Sequence, residues 1–123
     1  MRVEQAIARA DDLAPNSFSV EQKIAWLSAL DQKILDGLIL PGGGKAPFGF
    51  FPGEGYISDS EELLVQFPYC DDLYSNYLLA QYAAYNGEIT KYSNFAALYN
   101  SALKEFYNFW TRNHKSPDKG WQF

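Results

Sequence analysis

Cysteine and histidine are nearly missing from this chain of 123 residues, which holds one of each, Cys70 and His114. A lone cysteine cannot close an intramolecular disulfide, so the fold is not expected to depend on an oxidising compartment. One thiol and one imidazole fall short of the three or four ligands of a protein zinc site, and they leave no Ser-His-Asp or Cys-His triad to assemble. No metal and no cofactor is expected. Long apolar runs are also lacking: nothing approaches the roughly 20 apolar residues of a membrane span. The opening MRVEQAIARADD carries no apolar core of a secretory leader, so a soluble protein made in the cytosol is expected. Basic side chains are outnumbered, ten Lys and Arg against fifteen Asp and Glu, for a net charge of −5. Sequence-independent nucleic-acid binding draws its affinity from cations on phosphates, so a DNA-gripping face is not expected. An acidic wall that DNA slides past is compatible with this balance.

The remaining chemistry is thin. Gly42-Gly43-Gly44-Lys45 invites a phosphate-loop reading, but the pattern needs a glycine at Ile39 and a Ser or Thr at Ala46. His114 reads as a solvated residue beyond a helix end, where its cationic form suits the dipole. Cys70, near a helix start, is either a somewhat acidic thiol or, more in keeping with its neighbours, a small buried side chain. The carboxylate pairs Asp11-Asp12, Glu61-Glu62 and Asp71-Asp72 are sequence neighbours, which point about 100° apart on a helix and do not converge. Capping and solubility account for them, and no enzyme is expected.

Aromatic residues are what the chain has in excess: 17%, with nine Tyr and nine Phe. A domain of this size has little interior to hide so many large rings, and aromatics are enriched where chains meet. The expected fold is all-α, a small bundle of about four helices over residues 1–115, followed by an extended tail over 116–123. Val3, Ile7, Ala10 and Ala14 form one helical face ended by Pro15. Ser19, with Gln22 three residues on, opens a second helix whose face is Ile24, Leu27, Leu30 (or Asp31), Ile34 and Leu38. Gly37 weakens its end and Pro41 stops it. Residues 41–58 carry six Gly and three Pro, too dense for a helix, yet Phe48, Phe50, Phe51 and Tyr56 are set among them. This inserted loop, with room for a short β-hairpin, either folds back on the helices or orders against a partner or neighbouring subunit. Residues 59–68 read as a helical turn or an extended run onto the bundle.

A third helix runs from about Asp71 to Tyr85, Asn86-Gly87 breaks it, and the longest helix follows to about Asn113. Tyr92, Ala96, Tyr99, Leu103, Phe106 and Trp110 repeat at 4-3-4-3-4, a heptad-like seam, with Tyr92, Tyr99, Phe106 and Trp110 as its candidate packing and assembly residues. Phe95, Leu98, Ala102 and Phe109 widen it, and a helix apolar on more than one face has more than one neighbour. The tail SPDKGWQF cannot stay helical through Pro117 and Gly120, and it exposes Trp121 and Phe123 either to its own domain or to a partner.

Two blocks resemble a known family. The first is Pro15-Asn16-Ser17-Phe18-Ser19 with Lys23-Ile24-Ala25-Trp26-Leu27-Ser28-Ala29-Leu30-Asp31. The second spans Glu62-Leu63-Leu64-Val65, Pro68-Tyr69, Asp72-Leu73-Tyr74, Tyr77-Leu78-Leu79-Ala80-Gln81, Asn86-Gly87-Glu88, Tyr92-Ser93-Asn94 and the aromatic end Phe106 to Trp110. Together they resemble the head–tail connector, or adaptor, proteins of tailed phages and prophages, over about three quarters of the chain. The resemblance implies a structural virion protein that forms a ring, typically a dodecamer, beneath the portal, made in the host cytoplasm. Such a ring extends the DNA channel and receives a stopper or tail-completion protein. It also implies that the C-terminal tail docks on the portal protein, with Trp121 and Phe123 as anchors, and that loop 41–58 faces a neighbour or the next ring. The alternative is a non-catalytic helical module for protein binding or regulation, with the aromatic loop as its recognition site.

Overall fold

The structure, a computed structural model, describes residues 1–41 and 55–113. The chain is an all-α bundle: α1 (Val3–Leu13), α2 (Val20–Ile34) running on into a π-helical turn (Leu35–Ile39), α3 (Cys70–Tyr85) and α4 (Ile89–Asn113). The central element is α3. It packs against α1, α2 and α4, while α4, among the helical elements of the described residues, meets α3 and the π-turn. The core is built from Val3, Ile7, Leu27, Leu30, Ile34, Leu35, Leu63, Val65, Leu73, Tyr74 and Leu78, all buried.

Local chemistry explains the helix ends. Ser19 Oγ accepts the Gln22 amide at 3.1 Å, satisfying one of the orphan N–H groups of α2. Ser19→Ala is expected to cost about 1 kcal/mol, measured as a shift in the chemical denaturation midpoint at constant slope. Between α1 and α2 the Asn16 side chain makes the turn: its Oδ1 accepts from the Phe18 amide and its Nδ2 donates to the Ala14 carbonyl and to Asp11 Oδ1. The hairpin between α3 and α4 closes with the Gly87 amide on Ala84 O and the Glu88 amide on Ala83 O. Gly87 sits at φ +74°, where a Cβ is unfavourable, so the Asn86-Gly87 break is a helix-ending turn of the Schellman type.

The 59–65 segment is a run of turns and bends around one bridge residue, Glu62, and it caps α1. The Val3 amide donates to Glu61 O at 2.9 Å, the Glu4 amide to Asp59 O at 2.8 Å, and the Leu63 amide to Met1 O at 2.9 Å. The first amides of a helix need acceptors, and here a distant segment supplies them. Leu63, Leu64 and Val65 then turn inward. An isolated bridge between Arg2 and Glu62 completes the contact. Among the described residues there is no strand.

Candidate assembly surface and its buried anchors

Of the candidate site residues, Phe48, Phe50, Phe51, Trp121 and Phe123 lie outside the described residues. The other candidates fall into two places. Tyr92, Tyr99, Phe106 and Trp110 are on α4, and Tyr56 is at the base of the loop.

The inner face of α4 is rotated from the expected seam. Ala102 and Phe106 are buried, and Phe95, Tyr99, Leu103, Phe109 and Trp110 pack against the core. Tyr92, the first seam position, is 44% exposed. The reason is geometric. Phe95, Tyr99, Ala102, Phe106 and Phe109 keep a 4-3-4-3 spacing aimed at α3, and Tyr92 stands about 60° round the helix from Phe95. Trp110, on the same flank as Tyr92, is partly buried and its ring lies 6.4 Å from that of Phe106. Tyr69 continues this packing, with ring centroids 4.8 Å from Phe109 and 6.1 Å from Phe106. The N-terminal half of α4 has no such cover. Around the α3–α4 turn Tyr85, Ile89, Tyr92 and Leu98 are all exposed. The outer face reads Ser93, Asn94, Ala97, Asn100, Ser101, Lys104 and Asn108, all exposed. Only four of the helix's 25 residues are charged: Lys91, Lys104, Glu105 and Arg112. A solvated helix face is normally richer in charge, whereas interfaces are depleted in it.

Tyr56, a candidate partner residue, is turned into its own chain and is 5% exposed. Its hydroxyl donates to Asp31 Oδ2. Asp31 is fully buried and accepts two more hydrogen bonds, from the Leu64 amide at 3.1 Å and from the Tyr74 hydroxyl at 2.7 Å. The Tyr74 oxygen in turn accepts from the Val65 amide at 2.8 Å. One carboxyl thus ties α2, α3 and the 55–65 segment together. Burial outweighs these hydrogen bonds and raises its pKa to about 6. The Tyr56 and Tyr74 phenols are pushed up by burial and by the Asp31 charge. The sequence held one sign of this site: Asp31 stands in the α2 stripe one residue after Leu30 and three before Ile34. Its partners, 25, 33 and 43 residues away, left no local signal.

A second polar knot joins α1, α2 and α3. Asp11 accepts from Lys23 Nζ at 3.0 Å, from Asn16 Nδ2 at 2.9 Å and from the Tyr82 hydroxyl at 2.8 Å. Burial works to raise the Asp11 carboxyl, but these three hydrogen bonds and the Lys23 charge together lower it. Lys23 is buried among aromatic rings, its Nζ 5.5 Å from the Tyr82 ring centroid. Phe18 packs edge-on to Trp26 at 5.2 Å and stacks on Tyr82 at 5.6 Å, and Trp26 lies 5.3 Å from Tyr85. The buried face of α2 therefore includes Lys23, Trp26 and Asp31, while Ile24, an expected core position, is only partly buried.

Cys70 is buried, and burial, with the neighbouring Asp71 charge, raises its thiol, so the acidic reading does not hold. An open groove of about 410 Å³ runs along α2, lined by Glu21, Ile24, Ala25, Ser28, Tyr56 and Ile57. Among the described residues no group of three or more His, Cys, Asp or Glu could hold a metal ion, and no helix is long and apolar enough to cross a membrane. Compared with known proteins, the chain matches no family model, no curated protein and no solved structure.

Proposed function

We propose that this chain is a non-catalytic structural adaptor of a tailed-phage head–tail interface, assembling into a ring beneath a portal and extending the channel through which DNA passes. The observation that carries the reading is α4. It is a helix of 25 residues that, among the helical elements of the described residues, packs against α3 and the π-turn. Its outer face is poor in charge, Ile89, Tyr92 and Leu98 are exposed on its N-terminal half, and Tyr85 is exposed at the adjoining end of α3. A closed ring uses two different faces of each subunit, and this surface supplies one of them. The net charge of −5 suits a wall that DNA passes without sticking. The resemblance in the Pro15–Asp31 and Glu62–Trp110 blocks supplies the identity of the assembly, with Trp121 and Phe123 as the anchors toward the portal.

The test is assembly on portal-bearing heads. Ile89→Asp combined with Tyr92→Asp places charge on exposed positions, so the monomer is expected to lose no more than about 0.5 kcal/mol per site. Ring density on the portal, seen by electron microscopy, is expected to disappear. Rings of normal occupancy with the double variant would remove α4 from the interface. A strictly monomeric wild-type chain in the presence of assembled portal would remove the ring altogether.

A further inference from the structure

We propose that the groove along α2 is the second face of the ring interface, and that it receives the Ile89–Tyr92 end of α4 from a neighbouring copy of this chain. That a neighbour exists rests on the ring reading above; the choice of groove and occupant rests on surface and charge. The groove, of about 410 Å³, is lined by Glu21, Ile24, Ala25 and Ser28 on α2 and by Tyr56 and Ile57. Its hydroxyls are already engaged. Ser28 Oγ accepts the Tyr56 amide, and the Tyr56 hydroxyl is turned to Asp31. A small-molecule site gathers several convergent polar groups, whereas this groove offers one charged group, the Glu21 carboxylate. What it presents is apolar surface: Ile57 is 82% exposed, and Val20, one turn before Ile24, is exposed as well.

The occupant follows from the other open apolar surface. Ile89 and Tyr92 are both exposed at the start of α4, and three residues apart on a helix they are neighbours on its surface. They do not fill the groove of their own chain: α2 and α4 do not pack on each other, and no α4 residue lines the groove. Charge then selects between partners. In a chain of net charge −5, α4 carries three cations, Lys91, Lys104 and Arg112, and one carboxylate, Glu105. Even with Glu88, which precedes the helix and pairs with Lys91 at 2.8 Å, this element stays net positive. The groove side is acidic, with Glu21 in the lining and Asp59 exposed two residues past Ile57. Two α4 helices side by side repel, as do two grooves, whereas a cationic helix and an acidic groove attract. Pairing unlike faces is head-to-tail, the arrangement that closes into a ring.

Cysteine cross-linking tests the contact. Full-length Ile57→Cys chains and Ile89→Cys chains are mixed and mildly oxidised, in concentrated solution and on portal-bearing heads. Both positions are exposed, so the monomer is expected to keep its fold, and native Cys70 is buried away from the reaction. A disulfide needs Cα atoms within about 7 Å, so the 57–89 product in the mixture is expected to exceed the homodimer of either chain alone roughly ten-fold. Glu21→Lys is expected to weaken self-association up to about five-fold and to flatten its salt dependence. Ring density on the portal without the 57–89 link overturns the pairing and leaves the adaptor reading in place. A 57–89 link in solution with no ring on the portal supports the pairing and removes the adaptor reading. Homodimers as abundant as the mixed product, or Ile57→Cys linked to another head protein in place of Ile89→Cys, overturn the pairing. Neither link nor ring overturns both.

Discussion

Asp31→Ala is expected to destabilise the fold by about 3–5 kcal/mol, much of the 5–15 kcal/mol typical of a domain this size. The loss comes from the donors left behind. The Tyr56 hydroxyl, the Tyr74 hydroxyl and the Leu64 amide all end on Asp31. Each buried donor without an acceptor costs about 1–3 kcal/mol, and removing an unfavourably buried charge offsets only part of the sum. Asp31→Asn keeps the shape and one acceptor oxygen, so a smaller cost of about 1–2 kcal/mol is expected. Urea denaturation of the two variants checks the order. An alanine variant within 1 kcal/mol of wild type would mean that water or a rearranged segment replaces the carboxyl.

The same residue sets a pH dependence whose sign can be worked out. The folded pKa of Asp31, about 6, lies above its ordinary value of 3.8. The folded chain therefore binds this proton more tightly than the unfolded chain does. The stability linked to it is fully present below about pH 4 and is lost as pH rises through 6. Asp11 acts in the opposite direction and lower on the scale, since its carboxyl is held down and its contribution is lost only on acidification below its ordinary value. Between pH 4 and 6 the Asp31 term is expected to dominate. Wild type should lose stability on moving from pH 5 to pH 7.5, and Asp31→Asn should show a flatter curve.

Gly55→Ala is the second large effect, expected at about 2–5 kcal/mol. Gly55 has φ +72°, in the left-handed region where a Cβ is strained. A Cβ built there would lie 2.5 Å from Ser28 Cβ and 2.6 Å from Ser28 Oγ, closer than real side chains approach. Ser28 belongs to α2, and its Oγ accepts the Tyr56 amide, so it cannot yield without releasing the segment. Removing the second Cβ should recover part of the loss. In a double-mutant cycle with Ser28→Gly, a favourable coupling above about 1 kcal/mol is expected. Strict additivity would show that backbone conformation alone, and not the close approach, sets the cost.

The four helices were legible because their signals are local. Apolar residues at 3.6-residue spacing, Ser19 before α2, Pro15 after α1 and Asn86-Gly87 between α3 and α4 each act within a turn or two of chain. On α2 periodicity places Ile24 in the core and passes over Lys23, because it weighs a side chain's own polarity and not its partner's. Lys23 is buried only because Asp11 and the Tyr82 ring meet it. On α4 the 92-to-110 seam and the 95-to-109 line are both regular, and only the position of α3 selects between them.

By itself, then, the sequence determined an all-α chain, its helix boundaries, its caps and an excess of aromatic surface on the last helix, all consequences of short-range geometry. Tertiary structure alone decided which face of α4 is covered, that residues 59–65 cap α1, that Asp31 gathers three donors from two other elements, and that Gly55 leaves room for nothing larger beside Ser28. Each of these depends on groups dozens of residues apart meeting within a few ångströms, a proximity that follows from how the helices pack and that no local pattern encodes.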